Sequence, residues 1–271
     1  MTSSSSGSEN EPRARWAKSA YPPEDLVQGL LEARIAGPVT SHDRRNVLWK
    51  IDRLVEGDPD LQFGLTRLGP ISTPQVLALM SEETGFDPDP MLAEGPSAID
   101  PWRVLGSLEA AGRRLAEAGR RGERVILATG HPAGLVLLYM AVGELLERVG
   151  AKLLRPLQGF EWRERGHHRQ IRYFHGVAAL TNRGSPKHTH GSGAMERMLE
   201  EVRPDLVFAD HGFAGAAIEA GVDTISIADV NDPAPIVAKS QGRTDLVIVM
   251  DDNVQPEDYW PCFQAIASQF P

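Results

Sequence analysis

Apolar residues recur along this chain with two different spacings, and the change between them falls near Gly122. Before it the spacing is helical. Leu26, Leu30, Leu31 and Ile35 lie on one face of a segment opened by Pro22-Pro23-Glu24-Asp25 and closed by Gly37-Pro38. Thr40-Ser41-His42-Asp43 is a helix-start signal ahead of Val47, Leu48, Ile51, Leu54 and Val55. Ser72-Thr73-Pro74 opens another helix through Val76, Leu77, Leu79 and Met80, which Gly85 ends. The stretch FDPDPMLAEGPSAIDP is a loop or a boundary, and a longer helix from Pro101 ends in basic residues suited to the helix dipole. No strand is expected before Gly122.

Beyond Gly122 short β-branched runs alternate with helical patterns. RVILATGHP reads as a buried strand, followed by an apolar helix from Pro132 to Val149. AKLLRPL and RYFHGVAAL read as further strands, separated by a polar hairpin or excursion over residues 158–171. The glycine-rich loop TNRGSPKHTHGSG feeds a helix at about Ala194–Val202. Then one unit is repeated three times: DLVFAD into HGFAGAAIEAG, DTISIAD into VNDPAPIVAKSQG, and DLVIVMDD into NVQPEDYW. Each runs up a strand, reaches an acid or an acid pair, and turns into a helix. The alternation predicts an α/β fold, a doubly wound, mostly parallel, Rossmann-like sheet with right-handed crossovers. The expected organisation is a disordered tail over 1–19, a helical N-terminal region or cap over 20–120, and an α/β core over 121–271.

Composition narrows the setting. A hydrophobic fraction of 41% supports a real core, and a formal charge of −9 argues against nonspecific nucleic-acid binding. One cysteine, Cys262, excludes a disulfide framework and a cysteine-rich zinc site, as expected for a reducing cytoplasm. No stretch is apolar enough to span a bilayer, and MTSSSSGSENEPRARW lacks the apolar centre of a secretory signal.

Ligand sites of open α/β sheets lie at the carboxyl ends of the strands, so Asp210, Asp229, Asp232, Asp251 and Asp252 are expected to converge there. Like charges so close call for a cation, and Mg²⁺ or Mn²⁺ on Asp210, Asn231, Asp251, Asp252 and Asn253 is the expected form. Asp232-Pro233 also reads as a helix cap followed by proline. Thr129-Gly130-His131 lies at another strand-to-helix turn, where backbone amides face an anion and His131 serves as acid, base or phosphate donor, or merely as a turn histidine. His211, beside Asp210, is a second candidate general acid. Lys187, His188, His190 and Ser192 suit phosphate oxygens, or form a solvated loop. The His188/His190 pair is also a zinc pattern, but no third ligand of matching type lies near it in sequence. His42-Asp43 reads as a helix start rather than as a metal site, and Trp102 and Trp162 read as packing.

Several chemistries are excluded by motif. Cys262 has no arginine six residues on, and there is no D-x-D-x-[TV] after a strand, no Arg-His-Gly and no G-x-S-x-G elbow. Neither nucleotide-binding glycine fingerprint is present. Metal-assisted attack by water, or by a carboxylate, on an electrophile such as a phosphoryl group remains.

ATGHPAGL, HTHGS, ADHGFAGAAIEAG, ADVNDPAPIVAKSQGRTD and MDDNVQPEDYWP together resemble a small family of actinobacterial phosphatases. The likeness covers about residues 95–265 and implies hydrolysis of a small phosphomonoester in the cytoplasm. The roles come from the residues themselves: Asp210, His131 and His211 catalytic; Thr129, Gly130, Lys187, His188, His190, Ser192 and Asp232 at the substrate. The alternatives are a noncatalytic module binding a sugar phosphate or nucleotide, and a phosphoryl or glycosyl transferase using the same anion cradle.

Overall fold

The computed structural model describes residues 15–164 and 166–271. The helical first third forms where the pattern predicts. Helix α1 (Pro23–Glu32) starts on proline, α2 (Arg44–Val55) is capped by Asp43 accepting from the Asn46 amide, and a short α3 (Pro59–Gln62) follows. Helix α4 (Thr73–Thr84) ends at Gly85, and α5 (Pro101–Arg121) runs from the Asp100 cap to Gly122. Both terminal glycines take left-handed φ, the conformation that stops a helix without a Cβ clash.

The strand region contains β1 (Arg124–Thr129), α6 (Pro132–Arg148), β2 (Lys152–Leu153), β3 (Glu161–Glu164), β4 (His167–Phe174), β5 (Val177–Asn182) and β6 (Ser185–Pro186). It continues with α7 (Gly193–Glu201), β7 (Leu206–Asp210), α8 (His211–Glu219), β8 (Thr224–Ala228), α9 (Ala234–Ser240), β9 (Leu246–Val249), a 3-10 turn (Pro256–Tyr259) and α10 (Trp260–Ala267). The strand order is β3-β4-β5-β1-β7-β8-β9. From β5 to β9 every neighbouring pair is parallel. The β3–β4–β5 arm and the short β6 are antiparallel, so the sheet is mixed.

RYFHGVAAL, expected as one strand, is divided between two. His175 and Gly176 carry φ of 46° and 92°, and this two-residue turn folds β4 back onto β5. AKLLRPL contributes only the two residues of β2, beside β1.

The helices pack on both faces. One core joins Val125, Leu127, Phe208 and Ile225 of the sheet to α5, α6, α10 and the N-terminal helices. The other joins Ile126, Ala128, Val207 and Ala209 to Met195 and Met198 of α7 and Phe213 of α8. The alternation of these residues along β1 and β7 is the two-residue period of a strand buried on both sides. The helical first third therefore shares its core with the sheet. The tail expected over 1–19 lies outside the described residues up to residue 14, whereas Trp16 packs on Phe263 and the Ser19 amide bonds Gln264. Trp102, read as packing, is 52% exposed, while Trp162 lies beside Phe160 and Arg197. Among the described residues no helix is long and apolar enough to cross a membrane.

Candidate active site

β1 sits between β5 and β7, so the chain leaves it in opposite directions on its two sides, the switch point outside whose strand ends open α/β sheets place their ligand crevice. Its centre is Asp210, the last residue of β7, which is fully buried. Asp210 Oδ2 accepts from the amides of Gly130 and His131, each at 2.9 Å, and from His211 Nδ1 at 2.8 Å. The amides expected to face a substrate anion are thus engaged by a carboxylate of the protein. Thr129 is equally internal, its hydroxyl accepting from the His131 amide. Gly130 is required sterically: a Cβ there would lie 2.6 Å from the Thr189 carbonyl oxygen.

His211 is buried at the turn into α8, with φ of 47°. Its Nε2 faces Asp232 Oδ2 at 3.4 Å and Asp252 Oδ2 at 3.7 Å. Burial opposes charge on this ring, but Asp210 and Asp232 outweigh it and hold its pKa well above the ordinary histidine value. Asp232 gains in return. Burial would raise its pKa, yet His211 and Lys50 hold it far below the usual carboxylate range.

Asp232 is therefore no mere helix cap. Helix α9 begins at Ala234, so Pro233 takes the cap position, and Asp232 Oδ1 accepts from Lys50 Nζ at 2.7 Å. Lys50 also reaches Asn231 Oδ1 at 3.1 Å, and Asn231 donates to Asn46. Lys50 belongs to α2, and sequence reasoning gave it no part in the site. The signal available was weak: a lysine among the apolar positions of an amphipathic helix.

His131, at the N-terminus of α6, places Nδ1 3.2 Å from Asp252 Oδ1. Burial works against its charge, and Asp252 raises its pKa above the ordinary value nonetheless. Asp252, in spite of burial, is held below the usual carboxylate range by His131 and His211. His42 comes in from the α2 start and sits 3.1 Å from Asp229, whose pKa burial pushes up. The helix-start reading of His42-Asp43 is correct for Asp43 and incomplete for His42.

The remaining strand-tip groups are turned elsewhere. Both oxygens of Asp251 accept from Ser41, through its amide and its hydroxyl, which fastens the 38–43 loop to the sheet edge. Asn253 is exposed, its amide bonded to Asp251. The expected oxygen set for Mg²⁺ is therefore not brought together: Asp210 and Asp252 are in the crevice, Asp251 and Asn253 point away, and the Asn231 amide is engaged by Lys50 and Asn46.

The loop before α7 delivers its histidines to the crevice. His188 stacks 4.7 Å from His131, and His190 lies 5.1 Å from His211, nearly parallel to it. One nitrogen from each of His188, His190 and His211 lies within 4.8 Å of the others. The third imidazole missing from the local sequence is thus supplied by the β7–α8 turn. The protein around its ring and the neighbouring imidazoles push His188 down to about 4, and burial lowers His190. Lys187 is half-buried and its amide bonds Leu180 O, while Ser192 packs against Gly64. His188 and His190 form part of the lining of a cavity of about 550 Å³ together with Asp60, Glu164, Arg169 and Glu196.

Comparison with known proteins agrees over almost the whole chain. The family model described as Phosphatase matches residues 22–269, a span that includes α2 and hence Lys50. A Streptomyces coelicolor protein named as a phosphatase is 36% identical over 243 residues, which cover 87% of this chain and 91% of that protein.

Proposed function

This chain belongs to the phosphatase family, and from that premise we propose that it hydrolyses a small phosphomonoester in the crevice around Asp210, on a doubly wound, Rossmann-like sheet. The observation that carries the reading is the pair of buried histidine–carboxylate contacts, His211 on Asp210 at 2.8 Å and His131 on Asp252 at 3.2 Å, which face one crevice. Two imidazoles whose pKa values neighbouring acids raise can provide both the proton and the positive charge that phosphate-ester cleavage requires.

Water adds to phosphorus as the ester P–O bond breaks, giving the alcohol and inorganic phosphate. His131 is the proton donor to the departing oxygen. Asp252 lies 3.2 Å from its Nδ1 as an ion-pair partner, leaving Nε2–H for transfer, and the proton lost by the attacking water restores the ring. His211, fixed by Asp210, holds positive charge where the phosphoryl oxygens gather it. Lys50 keeps Asp232 ionised and so keeps His211 charged. His188 and His190 line the cavity through which the ester enters, and Lys187 precedes them on the same loop. Phosphoryl transfer depends mostly on positioning and charge stabilisation, which suits a site of fixed ion pairs.

A divalent cation fits the crevice, because Asp252 Oδ2 and Asp229 Oδ1 are buried with no hydrogen-bond partner, although the oxygen set expected for Mg²⁺ or Mn²⁺ is not assembled. When bound it would polarise a phosphoryl oxygen and lower the pKa of water. The single cysteine is buried and free, and we place the reaction in the cytoplasm.

The test is leaving-group dependence in His131→Asn. Loss of a general acid slows alkyl phosphates by about 10²–10⁴-fold and an activated aryl phosphate much less. Equal loss on both, or none, contradicts the role.

A further inference from the structure

We infer that His188, His190 and His211 form the binding site of a transition-metal ion, Zn²⁺ or a cation of similar character, so that imidazole nitrogens rather than strand-tip oxygens hold the metal of this crevice. The inference rests on the phosphatase reading and specifies the metal chemistry of the same site.

Convergence is the first observation. The ring centroids lie 5.0 Å apart for His188 and His211, 5.1 Å for His190 and His211, and 5.3 Å for His188 and His190. One nitrogen of each is within 4.8 Å of the others. A tetrahedral ion with bonds of about 2.0–2.1 Å holds its ligand nitrogens about 3.3 Å apart. His188 is exposed on the loop before α7, so its ring has room to turn inward and close that gap.

The outer hydrogen bonds are the second observation. A metal-bound histidine characteristically donates its other N–H to a carboxylate or a carbonyl, which fixes the ring and its tautomer. His211 does so from Nδ1 to Asp210 at 2.8 Å, and with a dication bound its Nε2 would give up its proton, the metal then supplying the positive charge that the ring holds otherwise. His190 Nδ1 lies 3.2 Å from the carbonyl oxygen of Asp60. A carbonyl only accepts, so Nδ1 carries the hydrogen and the neutral ring leaves the Nε2 lone pair free. Phe63 braces both rings edge-on, its centroid 4.9 Å from that of His190 and 5.5 Å from that of His211.

The third observation is charge and access. His211 Nε2 faces Asp232 Oδ2 and Asp252 Oδ2 at 3.4 and 3.7 Å, and Asp252 Oδ2 is buried without a hydrogen-bond partner. A dication on the imidazoles would be neutralised by these acids. The cavity lined by His188 and His190 leaves the remaining coordination position open to substrate, the pattern of catalytic rather than structural zinc. Mg²⁺ is disfavoured by the same groups, because it takes oxygen ligands and imidazole suits Zn²⁺ and its neighbours.

The test uses the full chain, stripped with a chelator and dialysed against Zn²⁺, Co²⁺ or Mg²⁺. Metal content is read by mass spectrometry, and the Co²⁺ form by its visible absorption. The expected result is a single Zn²⁺ or Co²⁺ retained per chain, no retained Mg²⁺, and a Co²⁺ spectrum of low-symmetry nitrogen coordination. His190→Ala and Asp210→Asn, with melting curves confirming their fold, should each weaken retention at least tenfold. No retained metal, or a wild-type Co²⁺ spectrum of the octahedral aquo type, overturns the inference whether or not the variants fold. Stripped protein with full activity overturns it too, and leaves the phosphatase reading intact. That reading fails separately, through His131→Asn, even if metal binds.

Discussion

Asp210 accepts the Nδ1–H of His211 at 2.8 Å, although the two residues are consecutive in the chain. Successive side chains on a strand point to opposite faces, so this contact exists only because the chain turns at His211, where φ is 47°. A left-handed residue other than glycine costs about 1–2 kcal/mol. Asp210 offsets that strain through the Gly130 and His131 amides it also holds, so β1, β7 and the turn into α8 are locked as one unit.

The closeness of this turn to the His188–His190 loop can be tested without touching a functional group. A Cβ on Gly212 would lie 2.3 Å from the His190 carbonyl oxygen. Gly212→Ala should therefore push the loop outward, destabilise the protein by about 1–3 kcal/mol, and lower kcat/KM more than a surface substitution of equal stability cost. Thermal melts and steady-state kinetics on the same preparations check both.

The pH dependence of hydrolysis follows from the raised His131. A general acid with elevated pKa stays protonated above the ordinary value of about 6.5 and loses its proton as pH climbs further, so the alkaline limb of kcat lies above that point. Asp252→Asn removes the anion that raises it. The limb should then move to lower pH, as measured by kcat profiles on an alkyl phosphate.

Lys50 reaches Asp232 from helix α2, through Nζ at 2.7 Å. Lys50→Met leaves a buried carboxylate facing His211 without its cation. Removing one partner of such a pair costs about 3–5 kcal/mol when fully buried, and Lys50 is 15% exposed, so about 2–3 kcal/mol is expected. Lys50→Arg should recover part of the stability, and urea unfolding reads both.

At the opposite end of the sheet Glu219 binds Arg243, Arg67 and Thr66. Burial alone would raise its pKa, but these donors bring it down to about 2. A depressed folded pKa gives stability that is present above the unfolded value of about 4.3 and is lost as pH falls towards 2. Glu219→Gln should thus flatten the acid side of a Tm-against-pH curve and cost about 1–2 kcal/mol near neutrality.

Much of this was legible in the sequence. Acid-tipped strands running into helices gave the parallel half of the sheet, and they gathered Asp210, His211, Asp232 and Asp252 as expected. Tertiary partners decided the rest. Asp251 looked like Asp252 in sequence, but Ser41 from a distant loop engages both its oxygens. Asp232 read as a cap, and Lys50, 182 positions away, redirected it. His188 and His190 lacked a third imidazole until the β7–α8 turn supplied His211 from across a helix. The RYFHGVAAL run hid a two-residue turn because only one of its residues is glycine. Such pairings depend on sheet order, which local spacing does not encode.

The most direct test of the site is the turnover of an aryl phosphate by Asp210→Asn. Its amide can still accept from the Gly130 and His131 amides, but it cannot hold His211 charged. A loss of at least about 100-fold in kcat is expected, with a circular dichroism spectrum like that of the wild type. Wild-type turnover in a folded Asp210→Asn protein would place the chemistry outside this crevice.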